Sequence, residues 1–298
     1  MTAAEAVGSH ARPTSLLMVV AVSVLIGLLY VPLLYWLGET TIHTQQLLNG
    51  AMLVLIALAI CVRDAVDELR VAPQISNTGI GLVALALGCL WLGSRWPGWL
   101  LPFLLLSACL AFAGIVSFLF GKVGVRQFLP ALGAFFVFGL LVGLVPTLDW
   151  PLRAMAGRYA GGLLAAMGAP VKLALAQGQP PQLLLYVKDK AFVVATECNG
   201  FGLLTSSLIV ATILAFQYRM PWLQKLSLWA IAIPIAIGCN FVRIVSICVV
   251  APRTTLPYGL VHETLGLIFY FLGLGLIWWL GGRYKLPRTV HAKVPAAR

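Results

Sequence analysis

Acidic side chains are scarce in this chain, which has 9 Asp and Glu among 298 residues, and charged residues of both signs make up only 10% of it. A soluble domain carries about 25% charged and about 45–50% apolar residues. With 61% hydrophobic residues and a mean hydropathy of +0.97, the composition excludes a soluble globular protein and points to a polytopic membrane protein. CxxC spacing is absent. Five of the six cysteines (Cys61, Cys89, Cys109, Cys239 and Cys248) lie inside or at the edge of apolar runs, with no companion histidine. They read as buried small residues, and no metal or cofactor is expected. Internal repeats and low-complexity tracts are missing too. No cleavable signal sequence is expected, because the first apolar run, over 16–37, is long enough to span.

The net charge of +11 comes from 20 Lys and Arg against those 9 acidic residues. In a soluble protein such an excess would suggest nucleic acid. Here cytoplasmic loops account for it, because cations accumulate there and anionic headgroups attract them. Membrane lipid, and not nucleic acid, is therefore the expected contact.

Eight apolar runs measure up against the roughly 20 residues needed to cross a bilayer. They cover about 16–37, 47–62, 78–92, 99–120, 128–147, 200–217, 226–250 and 264–281. The expected architecture is an all-α membrane protein, a single transmembrane domain over 1–298 built as a bundle of about eight helices. An outer-face insertion over 149–197 and a basic cytoplasmic tail over 282–298 complete it. With both termini inside, the cytoplasmic side receives Arg12, Arg63, Arg70, Lys122, Arg126, Arg219, Lys225, Arg283, Lys285, Arg288, Lys293 and Arg298. The short loops of the other side receive only Arg95 and Arg253. The five cations of the long connection (Arg153, Arg158, Lys172, Lys188 and Lys190) count for little in the positive-inside rule.

The insertion reads as two parts. From 151 to about 176, Leu, Met, Ala and Gly mix with Arg153, Arg158 and Lys172, while Trp150 and Tyr159 suit headgroup depth. That pattern predicts an interfacial or re-entrant helix before the sixth span. From 182 to 195, two β-prone runs flank Lys188-Asp189-Lys190 and predict a short periplasmic β-hairpin, with an irregular loop as the alternative.

The chemistry centres on Ala195-Thr196-Glu197-Cys198-Asn199-Gly200, a thiol beside a carboxylate and a small turn, immediately before the apolar run 201–216. A cysteine in the first turn of a helix sees the positive end of the helix dipole, which favours the reactive thiolate. The bland alternative makes Cys198 one more small apolar residue near a membrane helix. The expected topology then places two further residues on the same side. Arg243 lies about seven residues short of the outer end of its span, roughly 10 Å at about 1.5 Å per residue. A charge within a span costs about 2.5 kcal/mol or more on insertion scales and usually faces a cavity or partner. Snorkelling towards the outer headgroups is the competing account. Asn240, three residues earlier on the same helix face, can orient Arg243. His262 and Glu263 fall at the outer lip of the last span, where a wet loop histidine is also a reading. Glu197 and Glu263 are equally solvated or salt-bridged carboxylates and take no chemical step. With Asn240, Asn199 and Gly200 they are candidates for binding or orienting substrate.

Taken in order, Glu197-Cys198-Asn199-Gly200, then Asn240-Phe241-Val242-Arg243-Ile244, then His262 resembles the exosortase/archaeosortase family. These are polytopic membrane cysteine transpeptidases with a Cys-containing motif, an Asn-x-x-Arg motif and a later His. The resemblance covers residues from about 128 to 280; the earlier spans match only in being hydrophobic. Asn199 departs from the Ser that commonly follows the cysteine, which bears on the subfamily. The soluble domain fused to some relatives is not expected after the last span. The resemblance implies that Cys198, Arg243 and His262 are catalytic and that a thioester acyl-enzyme forms. The acyl group would then pass to an acceptor at the outer face of the inner membrane. It also implies an exported protein as substrate, with a C-terminal signal made of a short motif such as Pro-Glu-Pro, one transmembrane helix and a basic tail.

Three rivals are of other kinds. A metal-dependent intramembrane protease would use Cys198, His262, Glu197 and Glu263, since His262-Glu263-Thr264-Leu265-Gly266 begins like HExxH, but Gly266 stands at the second ligand position. A polytopic transporter or channel would use Arg243 to contact an anionic solute; scarce acidic residues in the spans and the lack of repeats leave no obvious coupling-ion site. An assembly factor without chemistry would leave the thiol at Cys198 dispensable.

Overall fold

Lipid offers no hydrogen bonds to a backbone, so a segment that crosses it must satisfy its own amide groups, and a helix does so within one segment. The apolar runs of this chain take that solution throughout. A computed structural model describes residues 13–68, 75–176, 182–187, 190–194 and 199–283. Its helices are α1 (Pro13–Ile42), α2 (Gln45–Glu68), α3 (Asn77–Arg95), α4 (Leu100–Ala166), α5 (Phe201–Gln217), α6 (Trp222–Val250) and α7 (Tyr258–Arg283). Three short strands, β1 (Val171–Ala176), β2 (Gln182–Val187) and β3 (Lys190–Val194), lie between α4 and α5. Six helical stretches are long and apolar enough to cross a bilayer, and α5 is a shorter apolar helix of 17 residues. The protein is an all-α integral membrane protein with one small sheet.

The fourth helix reverses direction. Gly121, with φ 69° and ψ −163°, breaks the run into two arms, a backbone conformation that a residue with a side chain adopts only with strain. The arms pack antiparallel, with Leu105 of the first lying against Gly139 of the second and Leu101 against Gly143. With the two arms of α4 counted apart, eight helical segments stand among the described residues.

Hydroxyl groups tie the rods where apolar packing alone would leave their spacing loose. Ser107 of α4 donates to the Ala86 carbonyl of α3 at 2.6 Å, which leaves its oxygen to accept from Tyr30 of α1 at 2.5 Å. Thr212 of α5 accepts from the Trp229 indole of α6 at 3.1 Å, and Tyr270 of α7 donates to Ser206 of α5 at 2.8 Å.

Residues 122–166, at about 1.5 Å each, run to more than twice the roughly 30 Å of bilayer hydrocarbon. The stretch expected as a separate interfacial helix is instead the end of this second arm, and it stops at Ala166. Gly168 takes φ 83°, its N–H bonds the Ala165 carbonyl, and the Ala169 N–H bonds the Leu164 carbonyl. That crossed pair, with a left-handed glycine, is a Schellman stop, and Pro170 follows it. Released from the helix, Val171–Ala176 becomes a strand where a helix had been expected to run on to about 176. It pairs antiparallel with β2, while β2 pairs with β3 as the expected hairpin, Val187 opposite Lys190. The result is a three-stranded sheet in the order β1-β2-β3. Leu183 and Leu185 seat over Gly157 and Gly161 of α4 and share a core with Ile244, Val245 and Cys248 near the end of α6. The sheet thus covers the end of the bundle at which α6 finishes and α5 and α7 begin.

Candidate functional site

Asn240 and Arg243 are one helical turn apart on α6, so they project from one face. Helix α7 runs back alongside and brings His262, in its second turn, to that face. Arg243 Nη2 lies 3.2 Å from His262 Nε2. A guanidinium nitrogen can only donate, so a hydrogen bond across this contact requires the imidazole Nε2 to accept. One turn further along α7, Gly266 leaves the space in which the guanidinium lies: a Cβ there would sit 3.2 Å from Arg243 Nη2. The position that would carry a second ligand in a zinc motif is therefore the notch for an arginine. The His262 ring also neighbours Tyr258, at 5.9 Å between centroids, and Tyr258 neighbours Phe192 of the sheet at 6.2 Å.

A second cluster positions the start of α5. Gly200, the residue before the helix, has φ 82°, and a Cβ on it would lie 2.8 Å from both Cγ and Nδ2 of Asn240. The chain can pass Asn240 this closely only because no side chain is there. Asn199 is buried at 4% exposure. Its Oδ1 accepts the Phe201 N–H at 2.7 Å, which supplies a partner for one of the helix's unpaired first amides. Its Nδ2 donates to Asp149 Oδ1 at 2.6 Å. The other Asp149 oxygen accepts from Arg153, one turn along α4, in an ion pair whose arginine is only 7% exposed. Asp149 and Arg153 were missed as site residues in the sequence. The available signal was their i, i+4 spacing with opposite charge, which reads as a surface pair until the fold buries it.

Between α2, α5, α6 and α7 lies a cavity of about 190 Å³, lined by Gln46, Asn49, Gly200, Asn240, Arg243 and Tyr270 among others. Of the residues singled out in the sequence, Asn199, Gly200, Asn240, Arg243 and His262 come together at this end of the bundle. Glu263 is exposed on α7 and is not part of the cavity lining. Cys198 and Glu197 lie outside the described residues. The helix expected to open at about 200 begins at Phe201, three residues beyond Cys198. Among the described residues no three of His, Cys, Asp and Glu gather into a metal-binding group.

A comparison with curated proteins and one with solved structures gave no match. A family model described as transmembrane exosortase (Exosortase_EpsH) matches residues 42–279, from the end of α1 to the last turns of α7. The likeness therefore reaches well upstream of residue 128, where the sequence resemblance had been taken to begin, and includes α2, α3 and the whole of α4. An Asn-x-x-Arg face on α6, a histidine against it on α7 and a match over most of the chain agree with one another, and the chain belongs to the transmembrane exosortase family, which has a transpeptidase-like role in protein sorting at the membrane.

Proposed function

We propose that this protein is a cysteine transpeptidase that cleaves the C-terminal sorting signal of exported proteins and passes them to an acceptor at the outer face of the inner membrane. The observation that carries this reading is the 3.2 Å contact between Arg243 and His262, whose arginine lines the same cavity as Gly200, two residues after Cys198 in the chain. In the proposed reaction the Cys198 thiol gives its proton to His262, and the sulfur attacks a peptide carbonyl of the substrate. The tetrahedral intermediate collapses to a thioester, and His262 returns the proton to the leaving amine. An amine or water then attacks the thioester, and the thiol is regenerated.

Arg243 holds the oxyanion of the intermediate, a role in which fixed donors are worth more than in water. Its contact with Nε2 implies an order of events. While Nε2 accepts from the guanidinium it cannot take the thiol proton, so the guanidinium shifts towards the substrate oxygen as the carbonyl binds, and Nε2 becomes the base. Asn240 orients Arg243. The Asp149–Arg153 pair holds Asn199 and positions the turn before α5. In the membrane, the end bearing this site faces the periplasm, both termini are cytoplasmic, and the segment over 149–197 forms an outer-face insertion. The substrate is delivered by its own transmembrane helix, which brings the peptide above it to the depth of the cavity.

The test is processing of a tagged exported reporter ending in a Pro-Glu-Pro motif, a transmembrane helix and a basic tail. Cys198→Ala and Cys198→Ser are expected to abolish processing with the protein inserted at normal levels. Undiminished cleavage by either variant would overturn the reading.

A further inference from the structure

One wall of the cavity comes from α2, which takes no part in the reaction above. Gln45 and Gln46 open this helix and Asn49 stands one turn further on, and all three line the cavity opposite the face that carries Asn240 and Arg243. Gln45 and Asn49 are exposed there and Gln46 is half-buried. The wall is held close to α5, since a Cβ at Gly202 would lie 3.0 Å from the Gln46 carbonyl oxygen. The side chain of Gln46 is less settled. Its Oε1 is shielded from solvent and has no donor among the described residues, a state that is unfavourable for a buried acceptor. Gln46 lines the cavity and its last side-chain torsion is broad, so a group bound there can supply the donor.

The chemistry of the lining narrows the class of that group. Gln45, Gln46, Asn49 and Asn240 are carboxamides, Arg243 supplies the positive charge, and among the described residues no carboxylate lines the space. A carboxamide presents one acceptor and two donors, the complement of a peptide unit, while a guanidinium only donates. At about 190 Å³ the space exceeds the roughly 150 Å³ of a cavity that holds benzene, so it admits a short stretch of extended chain. A helical peptide would keep its own amides satisfied and gain nothing from such a wall.

We propose that the first turns of α2 form the subsite that binds the extended peptide segment flanking the scissile bond, with Gln46 accepting a backbone N–H and Gln45 and Asn49 bonding the neighbouring peptide units. The subsite rests on the transpeptidase reading for the identity of its occupant. Loss of one such hydrogen bond weakens binding about five- to tenfold and leaves the chemical step alone.

The experiment uses the full-length protein in detergent with the reporter described above. Gln46→Met keeps the length of the side chain and removes its polar atoms. It is expected to raise the apparent KM about five- to tenfold with kcat within twofold and a melting temperature that is unchanged or higher. In parallel, a photo-crosslinking residue replaces Asn49 in protein that also carries Cys198→Ala, with Leu55, an exposed position on the same helix (58%), as the control. Strong capture of the reporter from 49 and weak capture from 55 is expected. An unchanged KM for Gln46→Met, a fall confined to kcat, or equal capture from 49 and 55 would overturn the subsite. If Gln46→Met fails to insert, the crosslinking arm decides alone. If Cys198→Ala still processes the reporter, the transpeptidase reading fails, and capture from 49 still decides whether peptide binds at α2.

Discussion

Gly200→Ala probes the turn before α5 at the point where it meets α6. Two costs add. Gly200 has φ 82°, a region in which an L side chain costs about 1–2 kcal/mol. The new Cβ would also lie 2.8 Å from Cγ and Nδ2 of Asn240 and 3.1 Å from its Cβ, and overpacking of this kind costs about 1–3 kcal/mol. The expected destabilisation is therefore about 2–5 kcal/mol, read as a lower melting temperature in detergent. Gly238→Ala on α6 is the control: a Cβ there meets nothing within 4 Å, and the change is expected to be neutral or stabilising by up to about 1 kcal/mol. Two further variants separate the terms. Gly200→Asn relieves the backbone cost, because asparagine tolerates the left-handed region, and keeps the collision. Combining Gly200→Ala with Asn240→Ala removes two of the three nearest atoms and is expected to recover about 1 kcal/mol beyond additivity. Reporter processing by Gly200→Ala should fall at least about tenfold, since a displacement of roughly 1 Å at a reacting centre can cost more than that. Gly200→Ala with the melting temperature and processing of Gly238→Ala would refute the reasoning.

Other perturbations are simpler. Asp149→Ala leaves Arg153 buried without its carboxylate and is expected to destabilise by about 3 kcal/mol in thermal unfolding, whereas Asp149→Leu with Arg153→Met should recover part of the loss. Arg243→Lys replaces a planar fork by a point charge and is expected to lower reporter turnover about 100-fold or more with normal insertion. Ser107→Ala takes away the partner of the Tyr30 hydroxyl and should cost about 1–2 kcal/mol, again by melting temperature. A membrane-impermeant thiol reagent is expected to label intact cells or right-side-out vesicles through Cys198. Labelling should fall to background in Cys198→Ala, because Cys61, Cys89 and Cys248 are buried and Cys109 and Cys239 half-buried; equal labelling of the two proteins would count against an outward-facing site.

Much of the helical framework was legible in the chain because local rules govern it. A lipid-crossing segment must close its own hydrogen bonds, so each apolar run became a helix whatever its neighbours. The i, i+3 spacing of Asn240 and Arg243 put both on one face before any packing was known. The β-prone runs on either side of Lys188-Asp189-Lys190 paired as a hairpin for an equally local reason, strand propensity beside a short connection. Even the end of α4 had a local signal, Gly168-Ala169-Pro170, though it was outweighed by the apolar residues on both sides.

Contacts between distant segments were not legible in that way. Asn199 and Asp149 are 50 residues apart, and nothing in either neighbourhood specifies the other; their bond exists because the second arm of α4 passes the start of α5. The same holds for α2, whose opening carboxamides read as ordinary helix-start residues until Gly202 brings that helix against α5. The sequence alone determined a membrane bundle of helices and the residue types of an arginine–histidine pair on successive spans, since periodicity and desolvation act within one segment. Tertiary structure alone decided that the guanidinium meets the imidazole in the notch at Gly266, that a buried ion pair holds Asn199, and that α2 closes the cavity, because these depend on how close two helix backbones can approach, and that distance is set by the residues of both.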